Sequence, residues 1–246
     1  MKKQFLHKIF KFSFTCAASV AFYFGLPTEQ KQNMKMFIKT EFIEFFGIDV
    51  KPEQTVPNNR FLPDLSDVDE ETTYYFNEIL RFSENSPHQE GPINKWTKDI
   101  SVYLYGEYSH MHKTETIQVI KELNRLIYPR KINLVKNPKW ANSFVYFGSI
   151  EEYNKNSMSG VTLTGRYLGH FHLFTYHQEI QKAYIFVNTS DASRKRQKHV
   201  IREEITQSLG FINDSYDYPE SIFYQGFSEN DFFTEMDKTL IRLLYQ

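Results

Sequence analysis

The residues in this chain whose types and spacing could do chemistry cluster between Arg202 and Ser215. Glu203 and Gln207 stand four apart and so project from one face of a helix, with Glu204 beside them. Gly210 fits the left-handed residue that ends many helices, and the turn after it can return Asn213 and Asp214 to that face. Four chemistries stay open for such a set. The oxygens of Glu203, Gln207 and Asn213 are hard ligands, better matched to calcium, magnesium or manganese than to zinc, and would hold any of them loosely. With Asp214, the same groups can satisfy one another as a buried hydrogen-bonded cluster tying helix to turn. Burial beside Asp214 can instead raise one carboxyl toward neutrality and make a metal-free acid/base pair. Against that, neighbouring helical residues point about 100° apart, so Glu203 and Glu204 need not share one site. Finally, the cleft can bind a peptide or glycan without turnover.

Other candidates are weaker. His199 lies one turn before Glu203, which predicts a hydrogen bond between them. His170 and His172 would face one side of a strand, with His177 or His199 as a third metal ligand, but paired histidines on an exposed edge are more often simply solvated. The basic run Arg194–Lys198 reads as a solvated face. No Ser/His/Asp order, phosphate loop or CxxC pair is present.

The elements that must position this cluster alternate in type. Ser66 to Glu70 supplies a cap and an acidic first turn, followed by a stripe of Tyr75, Phe76, Ile79, Leu80 and Phe82. Ile100, Val102 and Leu104 alternate with Ser101, Tyr103 and Tyr105 as a strand closed by Gly106. Thr114 to Tyr128 has a helical pattern with Ile117, Ile120, Leu123, Leu126 and Ile127 inward, and Pro129 stops it. Short strands follow near Ile132–Val135 and Ser143–Phe147, then an edge strand from Gly169 to Phe174 and a buried strand over Ala183–Val187. Asn188 to Ser193 turns the chain into the helix that carries the cluster. Strand, helix, strand, strand implies a mixed α/β sheet with helices packed on it.

The frame Glu203-Glu204-x-x-Gln207-x-x-Gly210-x-x-Asn213 resembles the His-Glu-x-x-His-x-x-Gly-x-x-His motif of metzincin zinc peptidases. In that motif two imidazoles on one helical face and a third after the glycine hold zinc, while the Glu acts as base toward zinc-bound water. Gly210 and the general-base position, Glu204, are kept here; all three histidine positions are replaced. Downstream, Ser221-Ile222-Phe223-Tyr224 is similar to the matrixin turn, with Phe223 in place of its methionine. Thr234 to Asp237 and the ending Leu240 to Tyr245 also look like a matrixin close, and Trp96 before the first strand like a matrixin opening. A nearer resemblance is to the bacterial family known as domain of unknown function twenty-nine twenty-seven. It is carried by Glu203, Glu204, Gln207, Leu209, Gly210, Asn213, Asp214, Ser215, Ser221, Ile222 and Phe223, and spans about residues 70–246. It implies a metzincin-like mixed twisted sheet, a long helix of active-site type, a small carboxyl-terminal subdomain and an envelope setting, without an established reaction.

Composition sets the remaining bounds. The chain has 246 residues, enough for one large domain, and 17% aromatic residues, which favours a packed globule. The net charge of −1 is uneven: Lys2, Lys3, Lys8 and Lys11 precede any acid, and without them 25 basic residues face 30 acidic ones. A mildly acidic body gives no reason to expect nucleic acid. The apolar run from Phe12 to Leu26 is 15 residues, short for a span, and Ser19-Val20-Ala21 suits a signal peptidase. Residues 1–26 are therefore expected to be a signal peptide, or alternatively a short anchor in the inner membrane. Residues 27–60 are expected to be an amphipathic, Phe-rich helix (31–46) with a linker, and 61–246 the main domain, exported to the periplasm or secreted. Membrane contact through residues 1–46 stays open. With Cys16 in the leader, a mature chain has no disulfide. The leading expectation is a noncatalytic binding or structural module for a peptide or protein partner in the envelope, using Glu203, Gln207, Asn213 and Asp214. The alternative is a hydrolase with Glu204 as base. No cofactor is expected, since zinc has lost its histidines and only a loosely held, oxygen-ligated metal stays open.

Overall fold

Capping residues and alternating burial set the order of elements. The structure, a computed structural model, describes residues 60–83 and 86–246, which fall in the compact unit Val56–Gln246. The expected leader, the helix at 31–46 and the linker to residue 59 lie outside the described residues. Asp69 caps helix α1 (Glu70–Leu80) by accepting from Thr72 N, and Tyr75, Phe76, Ile79 and Leu80 are its buried stripe. Strands β1 (Phe82–Ser83) and β2 (Ser86–Glu90) form a small antiparallel pair. The main sheet then runs through β3 (Ile100–Gly106), β4 (Ile132–Leu134), β5 (Ser143–Gly148), β6 (Gly169–Tyr176) and β7 (Glu179–Asn188). Its spatial order is β4-β3-β5-β7-β6. The first four strands in that order are parallel, and β6 runs antiparallel to β7 at the edge. Both faces of β5 and of the second half of β7 are buried, as central parallel strands require.

Helices α2 (His110–Leu123) and α4 (Arg194–Gln207) share the larger core with α1 and the closing helix α5 (Glu235–Tyr245). A smaller cluster of Tyr146, Tyr153, Leu163 and Phe186 lies under the short helix α3 (Ile150–Asn156). This is the expected mixed α/β layout: a twisted sheet, a helix bearing the cluster, a glycine turn and a carboxyl-terminal helix.

The boundaries and face of α2 differ from the sequence reading. Ser109 and His112 form a reciprocal capping box that starts the helix at His110. Asn124 then ends it by bonding both N and O of Ile132. Ile117 is 45% exposed, whereas His112, Glu115 and Thr116 are buried. The cause is α4, which offers α2 a polar face. His112 Nε2 lies 2.7 Å from Gln197 Oε1. Arg202, 1% exposed, pairs with Glu122 at 2.5 Å and stacks over Phe233 at 4.6 Å. Lys198 reaches Glu115 at 3.3 Å. The basic run is thus engaged with neighbours on one side, Arg196 also donating to Ser228 O.

The carboxyl end of α4 is closed by distant parts of the chain. Trp96 Nε1 donates to Ser208 O at 2.9 Å, and Tyr245 OH donates to Leu209 O at 2.8 Å. Gly210 then takes φ +128°, and a Cβ there would overlap the carbonyl oxygen of Asn94. No side chain fits that position. Gly210→Ala should therefore lower the unfolding free energy by about 2–4 kcal/mol. Urea denaturation of the two proteins measures this, and near-equal midpoints would show that the turn relaxes at little cost.

Candidate functional site

Two turns of α4 and the chain after Gly210 build the candidate site. Ser193 caps the helix by accepting from Arg196 N, and the 3.6-residue period places His199, Glu203 and Gln207 in line. His199 is 1% exposed; its Nδ1 lies 2.7 Å from Asn230 O, and its Nε2 lies 3.4 Å from Glu203 Oε2. A carbonyl only accepts, so Nδ1 carries the proton and Nε2 is an acceptor facing the Glu203 carboxyl. The spacing alone would suit an ion pair, but burial opposes both charges. It pushes the His199 imidazole down to about 4. Burial, and then the nearby Asp214 carboxylate, pushes Glu203 up to about 8. At neutral pH this favours a neutral imidazole beside a protonated carboxyl, in contact at 3.4 Å but without the expected hydrogen bond, His199 Nε2 having no hydrogen-bond partner among the described residues.

Gln207 continues the row and donates through Nε2 to Asp214 Oδ1. The structure thus brings Glu203, Gln207 and Asp214 together. Asn213 is turned toward α1: its backbone N donates to Ile79 O and its side-chain Nδ2 to Glu78 O, both on the last turn of that helix. The third ligand position of the frame thereby serves as a cap for α1.

Glu204 points elsewhere. It is 6% exposed and lies against Gly169 at the start of β6, where a Cβ would overlap its Oε1 and stand 2.6 Å from its Cγ. Its Oε2 is buried and has no hydrogen-bond partner among the described residues. Burial first, then Glu203 and Asp214, holds this carboxyl well above the ordinary range. Burial beneath the edge strand thus disfavours its ionised form.

Sequence reasoning passed over three contributors. Glu78 is one; burial raises its carboxyl, which hydrogen-bonds toward Ser215. A helical stripe shows its spacing but not its partners. Gly169 is the second, and only packing reveals why it is glycine. The third is a buried chain in which Tyr75 OH donates to Ser221 Oγ at 2.8 Å and Ser221 donates to Asp237 Oδ1 at 2.6 Å. Asp237 also accepts from Thr234 N and Ile222 N, so this chain joins α1, the Ser221 turn and α5. His170 and His172 lie on the edge strand β6, and burial lowers His170.

The donor set does not fit zinc. Its three ligand positions hold a carboxyl whose ionised form is disfavoured by burial and two side-chain amides, weak oxygen donors where zinc takes imidazoles. Among the described residues, no three His, Cys, Asp or Glu side chains are placed to hold a metal ion.

Residues 69–246 match the family described as "Protein of unknown function (DUF2927)". The chain belongs to that family. The match begins at the cap of α1 and takes in every element of the main sheet, the Glu203 cluster and α5. Among solved structures, the chain is similar to "Crystal structure of myroilysin", at 14% identity over 62% of this chain and 86% of that one, with a TM-score of 0.42. It is also similar to "Structure of myroilysin", at 13% identity over 62% of this chain and 95% of that one, with a TM-score of 0.41. No curated protein matches.

The charge states lead to a pH test. Glu203 has its folded pKa raised from 4.5 to about 8, so the native state holds a proton that the unfolded chain releases in that window. Its contribution to stability is full below 4.5 and is lost as pH rises through about 8. Glu203→Gln cannot ionise. It should flatten the fall in stability across this window and be the more stable protein at its upper end. Urea midpoints near both ends measure this, and an unchanged slope would mean that Glu203 is ionised in the native protein.

Proposed function

We propose that this chain is an exported cell-envelope protein whose DUF2927 domain binds a polypeptide partner without cleaving it. The observation that carries this reading is the position of Glu204. A peptidase base must reach water and a scissile carbonyl, whereas this carboxyl is 6% exposed, packed against Gly169 and far up its titration range. The neighbouring positions are turned to groups of the same chain: Glu203 faces the His199 imidazole at 3.4 Å, while Gln207 donates to Asp214 and Asn213 to α1. Edge strand β6 is the surface best suited to a partner. An extended peptide can add to a sheet edge through main-chain hydrogen bonds, and β6 ends in the exposed side chains of Phe174 and Tyr176. Export is supported by the basic start and the apolar run over residues 12–26, whether that run is removed or kept as an anchor. No described helix is long and apolar enough to cross a membrane.

The rival is a hydrolase with Glu204 as base, which would need β6 to move off the carboxyl. The full chain, incubated with a quenched-fluorescent peptide library with and without zinc, manganese or calcium, separates the two. The expected result is no turnover above buffer and no difference between wild type and Glu204→Gln at equal melting temperature. Turnover by wild type that disappears in Glu204→Gln, with melting unchanged, would establish the hydrolase.

A further inference from the structure

A second surface lies between α2 and α5, apart from β6 and the Glu203 row. It is a pocket of about 430 Å³, within the range of sites that admit a bulky side chain or small ligand. Leu126 and the buried Phe233 form its apolar floor, and Phe232, 51% exposed, stands at its rim. Three cations surround it: Arg125 from the turn after α2, and Lys238 with Arg242 one turn apart on α5.

Three cations face two carboxylates, so the wall keeps a net positive charge. Of the two carboxylates in the wall, Glu122 is bound by the buried Arg202 at 2.5 Å and by Gln118 at 2.7 Å. Glu235 is bound by Lys238 at 2.7 Å. Among the described residues the guanidinium groups of Arg125 and Arg242 form no ion pair or hydrogen bond, and both are exposed at the pocket, each near enough to a wall carboxylate to lower its pKa, Arg125 that of Glu122 and Arg242 that of Glu235. In a chain with 30 acidic and 29 basic residues, a wall with three cations to two carboxylates, and two guanidinium groups free to form hydrogen bonds beside an exposed aromatic, is a local exception. Guanidinium binds carboxylate in a planar, two-bonded geometry, and arginine with phenylalanine is a pairing enriched where proteins meet. The floor is also preorganised, since Phe233 is held against the Arg202 guanidinium at 4.6 Å.

We infer that this pocket is a docking site for an acidic segment of a partner protein, which seats one bulky apolar side chain on Leu126 and Phe233 and places flanking carboxylates on Arg125 and Arg242. The inference is independent of peptide addition at β6, so either surface can fail alone.

The test uses the full chain and a short fluorescent peptide with aspartates flanking a central phenylalanine, read by anisotropy. Controls replace the aspartates by lysine or the phenylalanine by alanine, and inorganic phosphate is the competitor. Binding to wild type is expected to weaken as salt rises, and to weaken about tenfold or more in Arg125→Glu/Arg242→Glu and in Phe232→Ala. All three side chains are exposed, so melting temperatures should not change; if the double reversal fails to fold, the separate Arg125→Gln and Arg242→Gln variants carry the same expectation. Absence of binding, binding indifferent to these substitutions, or binding in which the phenylalanine is immaterial and phosphate competes fully would each overturn the proposal. The last outcome would make the pocket a simple anion site.

Discussion

The closure of α4 after Gln207 is the constraint on which the rest of this structure depends. A helix end leaves carbonyls without intrahelical partners, and here they are met by groups from opposite ends of the domain: the Trp96 indole ahead of β3 and the Tyr245 hydroxyl in the last turn of α5. Gly210 lets the backbone pass against Asn94 O in a conformation that side chains resist. From there the chain has one course. It caps α1 through Asn213, brings Asp214 to Gln207, and reaches the Ser221 turn, which Asp237 and Tyr75 lock from two other helices. The small carboxyl-terminal part is thus joined to the sheet domain by hydrogen bonds at a few buried points as well as by apolar contact.

The second feature is how much polar material α4 buries. Gln197, His199, Arg202, Glu204, Thr206 and Gln207 are all within the protein. Each charge is handled differently. Arg202 is paired with the α2 carboxylates of Glu115 and Glu122. His199 and Glu203 lie in contact, and burial disfavours the charged form of each. Glu204 has an oxygen without a hydrogen-bond partner among the described residues, and burial disfavours its ionised form. A buried unpaired carboxylate would be costly, so protonation is the less expensive state. Covering by the edge strand and the raised pKa both act on the same carboxyl, Glu204.

Much of the fold was legible in the chain because its signals are local. The alternation at Ile100–Tyr105, the buried run at Ala183–Val187 and the glycine stop at Gly210 each report short-range geometry, and strands and a turn stand there. The inward face of α2 was not legible, because Glu115 and His112 look like solvent-facing residues until α4 supplies Lys198, Arg202 and Gln197. Helix α3 also escaped notice, for its single buried residue leaves almost no apolar period, though Ser149 and Glu152 form a capping box.

The candidate site divides in the same way. From the chain alone one can know that Glu203 and Gln207 share a helical face, that His199 lies one turn earlier, and that a turn follows which is able to bring back an acid. Those statements follow from helical periodicity and the conformational freedom of glycine. Residue order cannot say which acid returns, or that Asn213 leaves the row for α1. Nor can it say that Glu204 meets the one position in β6 without a side chain. These depend on how an edge strand and a distant helix end pack against α4, and packing across the fold is what raises the pKa of Glu203 and Glu204 and covers Glu204.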